Sequence, residues 1–447
     1  MFSNDSNLIN KFDDTIKPSV YSKYLFYDDK GYIHYDLIYD RIEIIKFFVK
    51  EEYRGLKIGY KLLEKLVSMY NNISLEVKCS NKKAISLYEC FGFINVKILK
   101  NYYNGEDGYL MVRDNKDIYI LGIESSCDET SVSIVKNGIE EINTVTLSQI
   151  STHTKYGGVI PEIASRMHTE CITLLLDKCL KNSNMSINDI DYIAATYAPG
   201  LNGSLLVGLE CAKTLSYIHN IPLIPTHHIK GHIMVNKLVY DFSFPIIALV
   251  VSGGHTDLIL MNSVSDYEYL GSTLDDAIGE AYDKVARVLK IPYPGGVLLD
   301  KLSYTGKESY KLPLPLDDDS FNFSFSGIKS AVINLVNNEL QKGNEIVKED
   351  IAYSFQHNTI DVIVKKTMKA LKKYNINTLA VAGGVSANSY LRDELLNKCD
   401  KENIKLLVPP LKYCGDNATM IACCAYYELN NSTLDIFEID SIPSKKM

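Results

Sequence analysis

The chain has 447 residues, 46% hydrophobic and 23% charged, with 26 Gly, 13 Pro and a formal charge of −8. That supports two or three cores and excludes a disordered or collagen-like chain. No apolar run, residues 245–251 included, nears the roughly 20 residues of a spanning helix. Residues 1–10 lack a basic-then-apolar leader pattern, so a cytoplasmic protein with no membrane partner is expected. Ten Cys without a CxxC pair read as reduced, mostly buried thiols. Residues 1–115 hold 17 Lys+Arg against 16 Asp+Glu, and the remainder 30 against 39. Any RNA partner must therefore meet a local basic patch or one brought by another protein.

In chain order, strand-like runs at 32–37 and 42–49 lead to a helical pattern at 58–70 and a strand at 73–77. A helix at 82–91 and strands at 94–99 and 109–112 complete an α/β pattern. A charged stretch, 113–117, follows with no flexible spacer, which predicts units 1–115 and 116–430 with a tail at 431–447. The second unit echoes itself. Strand 118–124, a small-residue turn and strand 131–135 recur 128 residues later as 246–251, Ser252-Gly253-Gly254-His255-Thr256 and 258–261. Such turns offer backbone N–H groups to phosphate oxygens, and the duplication predicts two related lobes facing a nucleotide cleft. Residues 378–388 repeat the theme as a buried strand, Gly383-Gly384 and a helix start at Asn388. The two glycine turns are expected to face each other from opposite lobes.

His228 and His232, four apart, share one helical face and can ligate one metal ion, although His227 competes as a ligand. Ile229 stands where a zinc peptidase needs its Glu, which argues against peptidase chemistry. The first turn, Glu124-Ser-Ser-Cys-Asp128-Glu129-Thr130, combines carboxylates and hydroxyls that can hold a magnesium-phosphate unit or position a base. A solvated acidic turn is the plain alternative. Residues 274–287 read as a helix with carboxylates for ribose hydroxyls, followed by the turn Tyr293-Pro-Gly-Gly296.

From about residue 121 to 427 the chain resembles the TsaD family, the catalytic subunit of tRNA threonylcarbamoyladenosine synthase, formerly called glycoproteases. The matching strings are Gly122-Ile-Glu-Ser-Ser-Cys-Asp-Glu-Thr, His153 with Tyr156-Gly-Gly-Val-Ile-Pro-Glu-Ile-Ala-Ser-Arg166, Ala198-Pro-Gly-Leu and His228-xxx-His232. Val251-Ser-Gly-Gly-His-Thr, Asp275-Asp-Ala-Ile-Gly-Glu-Ala-Tyr-Asp-Lys, Pro294-Gly-Gly, Ser324-Phe-Ser-Gly-Ile-Lys329 and Ala382-Gly-Gly-Val-Ser-Ala-Asn388 follow in order. The resemblance implies a two-lobed actin-like α/β fold. It also implies a third metal ligand, Asp416, joining His228 and His232 around iron or zinc; Ala418 replaces the Gly usual in that motif.

By the same resemblance Val250, Val251, Ser252, Gly253 and Gly254 hold the phosphate of threonylcarbamoyl-AMP. Asp283, Gly296 and Asn388 hold its ribose and adenine, and Asp128 and Glu129 lie near the reacting group. The implied reaction transfers the threonylcarbamoyl group to N6 of the adenosine beside the anticodon in tRNAs reading codons that begin with A. A TsaB-like paralogue and a TsaE-like ATPase are the implied partners.

The first unit, from about 42 to 110, resembles the RimI branch of the GNAT acetyltransferases, which acetylate the N-terminus of a small-subunit ribosomal protein. The residues are Leu75-Glu76-Val77-Lys78, Asn81-Lys-Lys-Ala-Ile-Ser-Leu-Tyr88-Glu, Gly92-Phe93, Asn101-Tyr-Tyr and Glu106-Asp107. This implies Glu76 as base, Tyr88 as acid and acetyl-CoA contacts at Val49, Gly59 and Asn81. The domain is truncated at its N-terminal helices, and Lys57 replaces the central Gly of the pyrophosphate loop Arg54-Gly-Leu-Lys57-Ile-Gly59. Two alternatives stand: a non-catalytic docking module joined to an active transferase, and a small-molecule kinase of the actin-like superfamily, which has no need of a His/His/Asp triad.

Overall fold

A computed structural model describes residues 2–3, 12, 20–38, 41–114, 117–429 and 435–447. The chain forms two compact units, Met1–Asp117 and Ile118–Met447.

The first unit is a seven-stranded sheet backed by two helices, Ile58–Val67 and Lys82–Cys90. Alternate strand residues Ile33, Tyr35, Ile42, Ile44, Ile73 and Leu75 turn to one face, where Leu62, Leu63 and Leu66 of the first helix cover them. All neighbours pair antiparallel except Arg41–Val49 and Asn72–Lys78, which the first helix connects in parallel. Those two strands pair with each other only from Arg41↔Asn72 to Ile44↔Leu75 and then part, each staying paired to its other neighbour as far as Val49 and Lys78. The ladder with Gly31–Ile38 jumps from Lys46 to Ile44, leaving Ile45 as a bulge where the splay begins.

The second unit contains two five-stranded sheets of identical order. In the first, Glu140–Ser148, Glu129–Lys136 and Tyr119–Glu124 form an antiparallel meander, and Tyr192–Ala198 and Leu223–His227 add in parallel. In the second, Tyr267–Ser272, Thr256–Met261 and Ile246–Val251 form the meander, followed by parallel Thr378–Ala382 and Lys405–Leu407. The repeat read from sequence is therefore a duplicated lobe. The parallel central strands are buried on both faces, as their unbroken apolar runs require.

The pairing of Ile246–Val251 with Thr378–Ala382 corrects one expectation: the two glycine turns follow neighbouring strands of one sheet and lie side by side, not on opposite lobes. Gly383 has φ +89, and a Cβ there would lie 2.5 Å from the Val251 carbonyl oxygen. A second correction concerns residues 274–287, whose helix begins only at Ile278. Asp275 instead accepts bonds from Ser324 Oγ and from the backbone N–H and hydroxyl of Ser326, while Asp276 pairs with Lys284 and Lys329. These carboxylates tie the loop to the start of the helix Ser326–Gln341.

Candidate active site

The strand Leu223–His227 runs straight into the short helix His228–Met234, so His228 and His232 project from one face with ring centroids 4.7 Å apart. Asp416 comes from the turn before helix Ala418–Glu428, whose start is fixed twice. Asn417 Oδ1 accepts from the Met420 N–H, and the Ala418 N–H donates to Ser131 Oγ. Ala418 thus stands in the family's Gly position with its side chain fully buried and the Asp416 turn intact.

Asp416 Oδ1 lies 3.1 Å from His232 Nε2 and 3.5 Å from His228 Nε2, and one ligand atom of each residue falls within 4.8 Å of the others. Ligands held about 2 Å from a common ion have such separations. Behind His228, the fully buried Glu124 accepts from its Nδ1 at 3.1 Å, from the Ser126 N–H at 2.6 Å and from the Thr196 hydroxyl. Glu124 therefore holds a proton on Nδ1, so that Nε2 is the ligand atom once the ring is neutral. Burial opposes a charge on His228, but Asp416 and Glu124 outweigh it and raise its pKa to about 10. Burial resists ionisation of Asp416 too, and His228 and His232 hold its carboxyl well below the usual range. The buried Glu124 and the half-buried Asp416 facing two imidazoles favour a positive charge, and the donor set suits a divalent ion. His227 is not part of this group: its Nε2 faces the Lys445 carbonyl.

Beside the triad lies a cleft of about 720 Å³ with walls from both lobes. Asp128 and Glu129 form one side; Gly253, Asp283, Gly296, Gly384 and Asn388 are on the other. Glu129 is pushed up to about 9 by burial, then by Asp416 and Asp128, so it carries a proton at neutral pH. Asp283 Oδ1 accepts from the N–H groups of Gly295 and Gly296, which presents its carboxyl to the cleft.

Asn388 is less free than a ligand-binding residue: Oδ1 caps the following helix at Leu391 N–H, and Nδ2 donates to Gln356. Gln356 in turn reaches Asp300 and Ser303 and receives the Tyr282 hydroxyl. Among the phosphate candidates, Val250 and Val251 are fully buried strand residues that do not line the cleft. Ser252 Oγ accepts from Gly254 and His255 N–H groups, so it shapes the turn. Gly253 lines the cleft directly and Gly254 does not. Sequence reasoning missed Glu124 as the support of His228, and Gln356, Asp300 and Tyr282 beneath Asn388. Glu124 stood in a motif already noted, but its burial was not visible there.

In the first unit, Glu76 lies on Asn72–Lys78, the strand that diverges, and its hydrogen bond keeps the Tyr102 phenol protonated. Tyr88 is 7% exposed and packs 5.7 Å from the Phe93 ring, with ionisation opposed by burial. Asn81 Oδ1 caps its helix at the Ala84 N–H, Gly59 sits in the first helical turn, and Val49 ends the other diverging strand. Lys57 is exposed and takes φ 58, the left-handed region that explains the family's Gly.

Duplicated lobes, a cleft between them and a His/His/Asp cluster of metal-ligating type define an actin-like α/β protein. Residues 140–423 match the family described as TsaD, tRNA N6-adenosine threonylcarbamoyltransferase, and residues 11–93 match the GNAT acetyltransferase family. The tRNA N6-adenosine threonylcarbamoyltransferase of Listeria welshimeri is 50% identical over 331 residues, 73% of this chain and 96% of that protein. The enzyme of the same name from Bacillus subtilis is 50% identical over 336 residues, 75% of this chain and 97% of its own. The chain therefore belongs to the TsaD family and carries a GNAT domain before it. Among solved structures, component A of the Acidaminococcus fermentans (R)-2-hydroxyglutaryl-CoA dehydratase aligns with 70% of this chain and 99% of its own, at 17% identity and a TM-score of 0.42. Among the described residues no helix is long and apolar enough to cross a membrane.

Proposed function

We propose that the Ile118–Met447 unit transfers the threonylcarbamoyl group from threonylcarbamoyl-AMP to N6 of the adenosine beside the anticodon, position 37, in cytoplasmic tRNAs reading codons that begin with A. The observation that carries this reading is the triad of His228, His232 and Asp416 beside a cleft large enough for a nucleotide. The N–H groups of the Gly253 and Gly384 turns would take the adenylate phosphate, and Asp283 its ribose. His228, His232 and Asp416 would hold one iron or zinc ion. When bound, the ion supplies Lewis acidity and orientation to the carbamoyl carbonyl. N6 attacks the carbamoyl carbon, the bond to the phosphate oxygen breaks and AMP leaves. Asp128 is the group we assign to accept the N6 proton, with Glu129, which already carries one, beside it. The family resemblance implies a TsaB-like paralogue and a TsaE-like ATPase as partners, and the acidic balance of this unit assigns to a partner the basic patch that would help receive tRNA.

For the first unit the splayed strands support acetyl-CoA binding, with Glu76 and Tyr88 as base and acid for the N-terminal amine of a small-subunit ribosomal protein. The left-handed Lys57 favours a second reading, a docking module without catalysis. The transferase is tested by incubating the full chain and its partners with tRNA and threonylcarbamoyl-AMP labelled in its carbamoyl carbon. Label in adenosine with equimolar AMP supports the reading; AMP release without labelled adenosine contradicts it.

A further inference from the structure

Residues 431–447 carry no sequence signal beyond a tail, yet the described part, 435–447, is packed across the second unit. Ile439 is 4% exposed in the core of the first lobe. From there Ser441 Oγ donates to Asn202 Oδ1, the Ile442 N–H to the Tyr197 carbonyl, and the Gly200 N–H to the Pro443 carbonyl. The segment then crosses His227 and reaches the second lobe. The Met447 N–H meets the Tyr269 hydroxyl at 3.3 Å, and Met447 packs on the apolar cluster that contains Ile229 and Ile233.

The crossing falls at the metal-bearing helix. His227 is 3% exposed, and its Nε2 lies 3.1 Å from the Lys445 carbonyl oxygen. A carbonyl only accepts, so Nε2 carries the proton and donates it, and the ring is fixed in one tautomer and one orientation. His227 is also the residue at which the strand Leu223–His227 becomes the helix bearing His228 and His232. Seven residues are too few to form a stable helix alone, so packing sets how that helix points. The segment supplies such packing at two places: the His227 ring and the cluster around Ile229 and Ile233.

We propose that His227, held by the Lys445 carbonyl, is a positioning residue for the metal centre, and that residues 441–447 act as a strap fixing the angle at which His228 and His232 meet Asp416. The inference rests on the reading of those three residues as metal ligands. It assigns His227 no contact with substrate or ion.

The test uses the full chain and Co²⁺ or Zn²⁺ as probe. Affinity is measured by chelator competition, and coordination by the Co²⁺ visible spectrum, for wild type, His227→Phe, His227→Gln and a chain ending at Asp440. His227→Phe and the shortened chain should each lose about tenfold or more in affinity, the usual scale for groups that orient ligands, and shift the Co²⁺ spectrum. His227→Gln, whose amide N–H can reach the same carbonyl, should stay within about threefold of wild type. His227→Phe placed in the shortened chain should cost nothing further, because that chain has already lost the Lys445 carbonyl. Wild-type affinity in a folded His227→Phe or in the shortened chain, or losses that add, would overturn the proposal. If His227→Phe does not fold by circular dichroism, the shortened chain carries the test alone. A wild type that binds neither ion would instead remove the metal reading itself.

Discussion

Replacing Glu124 by Gln changes one atom of a fully buried side chain and should disable the metal centre by moving a proton. The carboxylate now accepts from three donors: the Ser126 N–H on one oxygen, and the Thr196 hydroxyl and His228 Nδ1 on the other. A Gln amide has one oxygen and one NH₂. With NH₂ toward Ser126, two donors meet at what was a 2.6 Å contact. With NH₂ toward His228, Nδ1 must become the acceptor and the ring proton moves to Nε2, the atom that faces Asp416. Either way a buried charge-assisted hydrogen bond is lost, about 1.5–3 kcal/mol, and the second arrangement also blocks a ligand. Metal affinity should fall about 10- to 100-fold, equal to about 1.4–2.7 kcal/mol. The assay is Zn²⁺ competition against a chromogenic chelator at pH 7.5, with urea unfolding of the metal-free protein as control. Affinity within twofold of wild type would refute the assignment of Glu124 as the group that sets the His228 tautomer.

Metal binding should release a proton, because His228 is raised to about 10 in the metal-free protein and must be neutral to ligate. Affinity should therefore rise with pH from about 7 to 9; calorimetry in buffers of different ionisation enthalpy reads the released proton, and its absence contradicts the scheme. The linked stability has the opposite sense: protonated His228 stabilises the metal-free fold fully below its unfolded pKa near 6.5, and this is lost as pH rises through about 10. Gly122→Ala should destabilise the second unit by about 1–3 kcal/mol in urea titration, since a Cβ there would stand 2.4 Å from the Ala418 carbonyl oxygen; an unchanged midpoint would contradict that close approach. Lys57→Gly removes a left-handed conformation that costs about 1 kcal/mol, offset by the greater unfolded-state freedom of Gly, so stability should change little while acetyl-CoA binding tightens. No calorimetric heat from either protein would favour the docking module.

The duplicated lobes were legible because strand, small-residue turn and strand recur with the same burial, and the buried strands need unbroken apolar runs. His228 and His232 were legible from their spacing, since a helix puts i and i+4 on one face. Asp416 lies 184 residues beyond His232, and no local pattern links it; only the family resemblance named it. Turn placement failed for a different reason. Gly253 and Gly383 look like partners across a cleft, but sequence does not tell which strands become neighbours, and their strands pair in one sheet. Asp275 and Asp276 were placed on a helix that begins only at Ile278, because the partners that hold them in a loop, Ser324, Ser326 and Lys329, arrive from about 50 residues away. The strap at 441–447 bonds largely through backbone, which leaves no mark in residue types.

The most direct test is mass spectrometry of tRNA nucleosides from cells depleted of this protein and complemented with wild-type or His232→Ala chains. The account predicts that N6-threonylcarbamoyladenosine disappears on depletion, returns with the wild type and stays absent with His232→Ala. An unchanged level of the nucleoside after depletion, or full recovery with His232→Ala, would contradict it.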